Sequence, residues 1–368
     1  PSMLNVDAPL AAGRLAQRLC ERTHPRLCRA SFGNSGAEVA DMAIKTARLA
    51  TGRRLLVSCH GAYHGLSVGT LPLLSEGSPL RPQETDPGDA VQIPFNDVKA
   101  LEEVCARRQP AAFFVEPIQG EGGMRVPDDG YLRDVARLCR AHGCLLVVDE
   151  VQTGLGRTGK LFATPFPDVV PDILLVGKAL SGGLVPVAAA LMSVDVWETL
   201  IARPKRCRLN ASTFAGGHLA MTAGLATLEV IETENLAGRA AKSGAALLAA
   251  LRALQPRHPV LKEVRGRGLM VGIEFQRPSG LLYKAVPEWV RDELFEHVVA
   301  VRLLAEHGFV TQACGLAPGV LRAEPPLVIT HEEITRFVAA LDRVLTELPS
   351  YSAAVWSALR QRLTAGIL

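Results

Sequence analysis

The chain has 368 residues, of which 48% are hydrophobic and 21% charged, with 40 Lys plus Arg against 37 Asp plus Glu. That length allows two domains and a large core in an ordinary globular composition. A net charge of +3, spread evenly, argues against a nucleic-acid or membrane-surface partner, and no apolar run approaches the roughly 18 residues of a membrane helix.

The eight cysteines (20, 28, 59, 105, 139, 144, 207 and 314) show no metal-ligand spacing. Most lie in apolar segments, which reads as reduced core thiols of a cytoplasmic protein without a metal site.

In chain order, residues 7–23 are predicted as a helix with Asp7 as N-cap and Pro9 in its first turn. The segment SFGNSGAEVADMAIKTARLATG (31–52) passes from turn residues into an amphipathic helix ending near Gly52. Ser35, Gly36 and Ala37 fall at its N-terminus, where free amides and the dipole favour a phosphate. An ordinary capped helix start reads equally well.

LLVSCHGAYHG (55–65) gives a strand from Leu55 to Ser58 and a glycine-bounded loop carrying Tyr63 and His64. An aromatic ring there can stack on a cofactor ring or simply pack. Residues 66–95, rich in Pro, Gly and acidic groups, read as an irregular surface loop. A helix from Asp97 to Arg108 precedes AAFFVEPIQGEGG (111–123), a buried strand ending on Glu116 with Glu121 on a Gly-rich loop. A helix over Tyr131 to His142 follows.

Two short apolar runs come next. Leu145 to Val148 ends on Asp149, and Ile173 to Val176 ends on Gly177 and Lys178. Unbroken runs of this kind fit strands buried on both faces of a parallel sheet, whose ligands sit beyond the carboxyl ends. Gly154 to Lys160 reads GLGRTGK, which has the spacing of a P-loop. Leu161 stands where that loop needs Ser or Thr, and Pro165, Pro167 and Pro171 disfavour the helix it would open.

The chemistry that uses a lysine amine and a carboxylate at such an edge is that of pyridoxal 5'-phosphate. The lysine forms a Schiff base with the aldehyde, and the carboxylate keeps the pyridine nitrogen protonated, which makes the ring an electron sink.

VPVAAALM (185–192) is a further strand, and NASTFAGGHLA (210–220) opens a helix running to about Glu234. Thr213 on that turn is a phosphate donor or a local cap. From 236 the order changes to a long helix, a strand (Leu269 to Phe275), a helix over 288–307, short strands near 309–312 and 320–322, and terminal helices. Arg322 ends the last strand, where a rigidly held guanidinium can grip a carboxylate with two prongs.

The expected architecture is therefore α/β: a mostly parallel sheet flanked by helices in a large domain (31–235), with a smaller α+β C-terminal domain (236–368) and an N-terminal helix and linker (1–30).

These motifs together resemble the class III aminotransferases, a pyridoxal phosphate family of fold type I with a seven-stranded sheet. The resemblance runs from residue 30 to about 345 and rests on NSGAE (34–38), AYHG (62–65), EPIQGEGG (116–123), DEVQTGLGRTGK (149–160), GKALSGG (177–183), STFAGG (212–217) and LRAEPPL (321–327). Residues 116–160 are most similar to the acetylornithine, ornithine and putrescine branch.

The resemblance implies that Lys178 is the Schiff-base lysine, Asp149 the partner of the pyridine nitrogen, Gln152 the partner of the ring's phenolic oxygen, and Tyr63 the stacking ring. Ser35, Gly36 and Ala37 would hold the phosphate, with Thr213 reaching it from the other subunit of a homodimer. His64 and Glu116 would belong to the same cofactor pocket. Arg322 would grip the carboxylate of 2-oxoglutarate or glutamate, with Glu121 pairing to it otherwise.

The implied activity is ping-pong amino transfer between an amine or ω-amino acid and a 2-oxo acid. A decarboxylase, racemase or aminomutase of the same class, or a transaminase module acting on a carrier-bound carbonyl, is the alternative. The family places NSGAE further into the chain, so an upstream segment is expected to be missing here. His218 and Leu219 replace the common Asn and Pro, and residues 277–290 read as an insertion.

Overall fold

The computed structural model describes residues 9–76, 78, 80–82, 90–203, 206–276 and 288–348. The chain forms two compact units: residues 1–119, 127–156 and 160–237 make the first, and residues 120–126, 157–159 and 238–368 the second.

The first unit is built on a seven-stranded sheet. Its strands are β1 (Leu27–Gly33), β2 (Leu56–Cys59), β3 (Ala90–Ile93), β4 (Ala112–Val115), β5 (Leu145–Asp149), β6 (Ile173–Val176) and β7 (Ala188–Ser193), in the spatial order β1-β7-β6-β5-β4-β2-β3. Strands β3, β2, β4, β5 and β6 run parallel. β7 is antiparallel to both neighbours, so β1 points the same way as β6. β2, β4, β6 and β7 are buried at every position, as strands covered on both faces must be.

Helix α2 (Gly36–Thr51) packs on one face through Val39, Ala40, Ala43 and Ala47, against strand residues that include Phe114, Val147 and Leu175. It starts where Ser35 Oγ accepts from Glu38 N at 3.2 Å and stops at Gly52, a left-handed residue at φ 67°. Helices α3 (Val98–Arg108) and α4 (Tyr131–His142) are the crossovers to β4 and β5; α5 (Val194–Ile201) and α6 (His218–Thr233) follow β7.

The second unit has an antiparallel sheet in the order β10-β11-β9-β8, from β8 (Leu261–Arg267), β9 (Met270–Phe275), β10 (Gln312–Ala313) and β11 (Val320–Ala323). Helices α7 (Leu236–Arg252), α8 (Glu288–His307) and α9 (His331–Glu347) accompany it. Phe275 and Phe295 meet edge to face at 5.0 Å in its core. Thr330 and Glu333 form a reciprocal capping box at the start of α9.

Helix α7 carries Gly244 where a Cβ would lie 2.0 Å from the Gly268 carbonyl oxygen. A helix-interior glycine replaced by alanine ordinarily gains about 0.5–1 kcal/mol. Here the approach of backbone reverses the sign: Gly244→Ala should destabilise the protein by about 1–3 kcal/mol in thermal unfolding, as overpacking does. A raised melting temperature would show that this contact is loose.

Several expectations need correction. The first helix is shorter than 7–23: α1 spans Leu10–Cys20 with Pro9 as its N-cap, and Asp7 lies outside the described residues. The stretch 66–95 is not wholly irregular. Leu71–Leu73 form a 3-10 turn, and β3 pairs parallel with β2 at the sheet edge. Four residues embedded among Pro, Gly and acidic groups carry too little periodicity to be read as a strand. β8 is also hidden in the sequence, because the charged Lys262, Glu263 and Arg265 interrupt the buried Leu261 and Val264. The strand expected at 309–312 is centred instead on Gln312 and Ala313. Of the expected insertion, residues 277–287 lie outside the described residues, as do 349–368 of the expected terminal helices.

Candidate active site

Four strand ends and one helix start meet at a single edge of the first unit's sheet. β5 delivers Asp149, β6 delivers Lys178, β4 delivers Glu116, and the loop after β2 delivers Tyr63 and His64. β1 runs in the same direction as these strands, so the NSGAE turn and the N-terminus of α2 fall at that edge too. This is the carboxyl-end crevice where open α/β sheets bind ligands.

Asp149 is buried and doubly held. Its Oδ1 accepts from Val151 N at 3.0 Å, and its Oδ2 accepts from His64 Nδ1 at 2.8 Å. The His64 ring packs on Phe114 with 5.7 Å between centroids, and its Nε2 is buried with no hydrogen-bond partner among the described residues. Burial opposes the charged imidazole, but the Asp149 and Glu116 carboxylates outweigh it and hold the pKa above the ordinary value. Glu116, also buried, accepts from Tyr63 N at 3.0 Å and so fixes the backbone that presents the Tyr63 ring.

Lys178 is exposed and opens a 3-10 turn with φ 43°. A left-handed non-glycine residue stores strain of the order of 1–3 kcal/mol, and such outliers gather at functional sites. Its Nζ donates to Gln152 Oε1 at 2.8 Å.

Sequence reasoning missed two residues that build this edge. Glu150 is fully buried and accepts from Thr153 Oγ1, Thr164 Oγ1 and Thr164 N, each at 2.6 Å, and from Ala163 N at 3.0 Å. Burial pushes its pKa up, opposed by these donors. It thereby closes the loop that holds Gln152. Val151 fills the space between helix and lysine: a Cβ on Gly36 would lie 2.9 Å from Val151 Cγ1, and one on Gly177 would lie 3.3 Å from it. The only sequence signal for either was adjacency to Asp149.

At the start of α2, the amides of Gly36 and Ala37 have no intrahelical acceptor, as in any first turn. Gly65 lies so close that its Cβ would come within 2.4 Å of Ala37 Cβ. Thr213 is exposed on a turn whose neighbour Ser212 accepts from Asn34 Nδ2 at 3.0 Å, which ties that turn to NSGAE.

These residues fit pyridoxal phosphate. A buried carboxylate suits a protonated ring nitrogen, a lysine stands at the next strand end, and a 16-residue helix offers amides and a dipole to a dianion.

Within the second unit, Arg322 Nη1 donates to Glu121 Oε1 at 2.5 Å and Nη2 to Gln312 Oε1 at 2.5 Å. Glu121 Oε2 also accepts from Gly315 N at 2.8 Å. The loop carrying Glu121 is anchored where Arg265 Nε donates to Gly123 O at 2.7 Å. Gln312 was not singled out by sequence, because only the β10–β11 register sets it opposite Arg322. The cysteines at 20, 28, 59, 105, 139, 144 and 314 are free thiols. No described helix is long and apolar enough to cross a membrane.

The family model "Aminotransferase class-III" matches residues 2–345. Aminotransferase PigE of a Serratia species is 34% identical over 94% of this chain, which spans only 44% of PigE. The acetylornithine aminotransferase of Mycolicibacterium smegmatis is 40% identical, over 86% of this chain and 74% of its own length. The solved ornithine aminotransferase of Toxoplasma gondii, described with pyridoxal phosphate at partial occupancy in its active site, superposes with a TM-score of 0.80 at 34% identity, covering 93% of this chain and 78% of that one. By family match, identity and superposed fold alike, this chain belongs to the class III aminotransferases, which use pyridoxal phosphate to move an amino group between substrates.

Proposed function

We propose that this chain transfers the amino group of an amine or ω-amino acid to a 2-oxo acid, with glutamate and 2-oxoglutarate as the second pair, in a ping-pong cycle. The observation that carries this reading is the placement of Asp149 and Lys178 at the carboxyl ends of neighbouring parallel strands, beside the start of α2.

When bound, pyridoxal phosphate supplies the aldehyde that takes the amino group and the ring that accepts electrons. The chain's residues do the rest. Ser35, Gly36 and Ala37 would hold the phosphate, Asp149 would partner the ring nitrogen, Tyr63 would stack on the ring, and Gln152 would partner the phenolic oxygen. His64 orients Asp149, and Glu116 orients the Tyr63 backbone. Lys178 Nζ would anchor the cofactor's aldehyde carbon and, once the substrate's amine has taken its place and freed it, would move the proton at the substrate's amine-bearing carbon.

Arg322 binds the carboxylate of the dicarboxylic co-substrate. Its pairing with Glu121 neutralises it when the amino donor brings no carboxylate to that position, so one enzyme serves both half-reactions.

The functional form is a cytoplasmic homodimer in which Thr213 reaches the partner's phosphate. Supporting this, Phe214 and Leu219 are 65% and 73% exposed around a groove of about 560 Å³ that also includes Val185 and Pro186. Apolar side chains on a surface groove mark an interaction site.

The test is the visible absorption of purified protein loaded with pyridoxal phosphate, before and after glutamate. Bleaching of the yellow band, with one equivalent of 2-oxoglutarate released and the colour restored by a 2-oxo acid, is expected. Release of carbon dioxide, or of a racemised or rearranged amino acid, would assign another reaction.

A further inference from the structure

Two side chains of different charge hold Arg322, and they respond differently to a competing carboxylate. Glu121 is an anion on a Gly-rich loop, bonded through one oxygen to Arg322 Nη1 and through the other to Gly315 N. Its departure frees both donors together, and a single incoming carboxylate can take both. Gln312 is neutral, lies directly opposite Arg322 in the β10–β11 ladder, and holds Nη2 through its amide oxygen. Being neutral, it neither cancels the charge of Arg322 nor repels an incoming carboxylate.

The surrounding charges agree with one exchangeable anion. Glu324 Oε2 lies 4.0 Å from Arg322 Nη1 and also acts on the guanidinium of Arg157, whose Nη1 donates to the carbonyls of Leu269 and Pro325. With Arg265 paired to Glu263 and Glu274, the guanidinium groups of Arg322 and Arg157 are matched by the carboxylates of Glu121 and Glu324 while Glu121 is in place. Its withdrawal leaves one positive charge, which matches one carboxylate.

We propose that Gln312 is a specificity-determining residue of this site, the neutral acceptor that keeps Arg322 aimed while Glu121 gives way to the second carboxylate of a 2-oxo diacid. It selects diacid acceptors over 2-oxo monoacids and aldehydes. This rests on the reading of Arg322 as the co-substrate's carboxylate ligand. An acidic residue at 312 would pair with Arg322 permanently; an apolar one would release Nη2 and let the guanidinium wander.

The experiment uses the full chain loaded with cofactor, as wild type, Gln312→Glu and Gln312→Leu. Glutarate, an unreactive dicarboxylate, is titrated by calorimetry, and KM and kcat are measured with the diacid acceptor 2-oxoglutarate and with the monoacid pyruvate. Gln312→Glu should weaken glutarate binding and raise KM for the diacid acceptor by about fivefold, and Gln312→Leu by about threefold, the size of one exposed charged contact. In both, kcat and KM for pyruvate should stay within about twofold of wild type. Diacid values unchanged in both variants, or equal shifts for the two acceptors, would overturn the role of Gln312 alone. A wild-type enzyme that transfers amino groups without preferring 2-oxoglutarate to pyruvate would overturn the reading of Arg322 and this proposal with it.

Discussion

Lys178→Ala is expected to lower the rate of amino transfer by at least about 10²–10⁴-fold, the contribution of a positioned proton-transfer group alone. The side chain is exposed and its amine donates to Gln152, so its loss removes no packed volume. The melting temperature should therefore stay close to wild type while single-turnover transfer from glutamate collapses. Cofactor should still bind, more weakly, through the helix start and Asp149. Partial rescue by a small added amine would assign the lost function to proton transfer. A variant that turns over normally would remove Lys178 from the reaction and redirect attention to the other groups at the sheet edge.

Glu150→Ala should have the largest effect on stability of any change at the site. The carboxylate is buried and collects four donors from Thr153, Ala163 and Thr164. Each donor left buried without an acceptor costs about 1–3 kcal/mol, and breaking a buried charged network typically costs about 3–5 kcal/mol in total. Chemical denaturation should show a loss in that range. Glu150→Gln keeps the shape and one acceptor oxygen, so it should lose less. The loop that Glu150 closes also carries Gln152, so the absorption maximum of bound cofactor should shift in the glutamine variant even where the fold survives. A Glu150→Ala protein as stable as wild type would mean that water replaces the carboxylate at no cost.

Much of the site was legible because buried parallel strands announce themselves. Leu145–Val148 and Ile173–Val176 are unbroken apolar runs, and whatever polar residue follows such a run must stand at the sheet's edge. Asp149 and Lys178 stand out that way. The helix start at Ser35 was legible from the cap residue itself, since Ser35 Oγ accepts the Glu38 amide. Arg322 stands out because it falls at the close of a short strand that stops before two prolines, although the strand itself runs on to Ala323. The contacts among these residues were not legible. His64 and Asp149 are 85 positions apart, and nothing in either local pattern encodes their 2.8 Å bond.

Local composition and periodicity thus determined the elements: which segments are strands, where helices begin, and which charged residues terminate them. These are properties of a few consecutive side chains and their preference for leaving water. Tertiary structure alone decided what those ends do together. β1 gave no clear strand pattern, yet its antiparallel pairing with β7 turns it to point with β6 and brings Ser35, Gly36 and Ala37 to the edge that holds Lys178. Likewise, only the register of β10 on β11 puts Gln312 against Arg322. Strand direction and register follow from burying whole faces at once, a global condition that no short window of sequence contains.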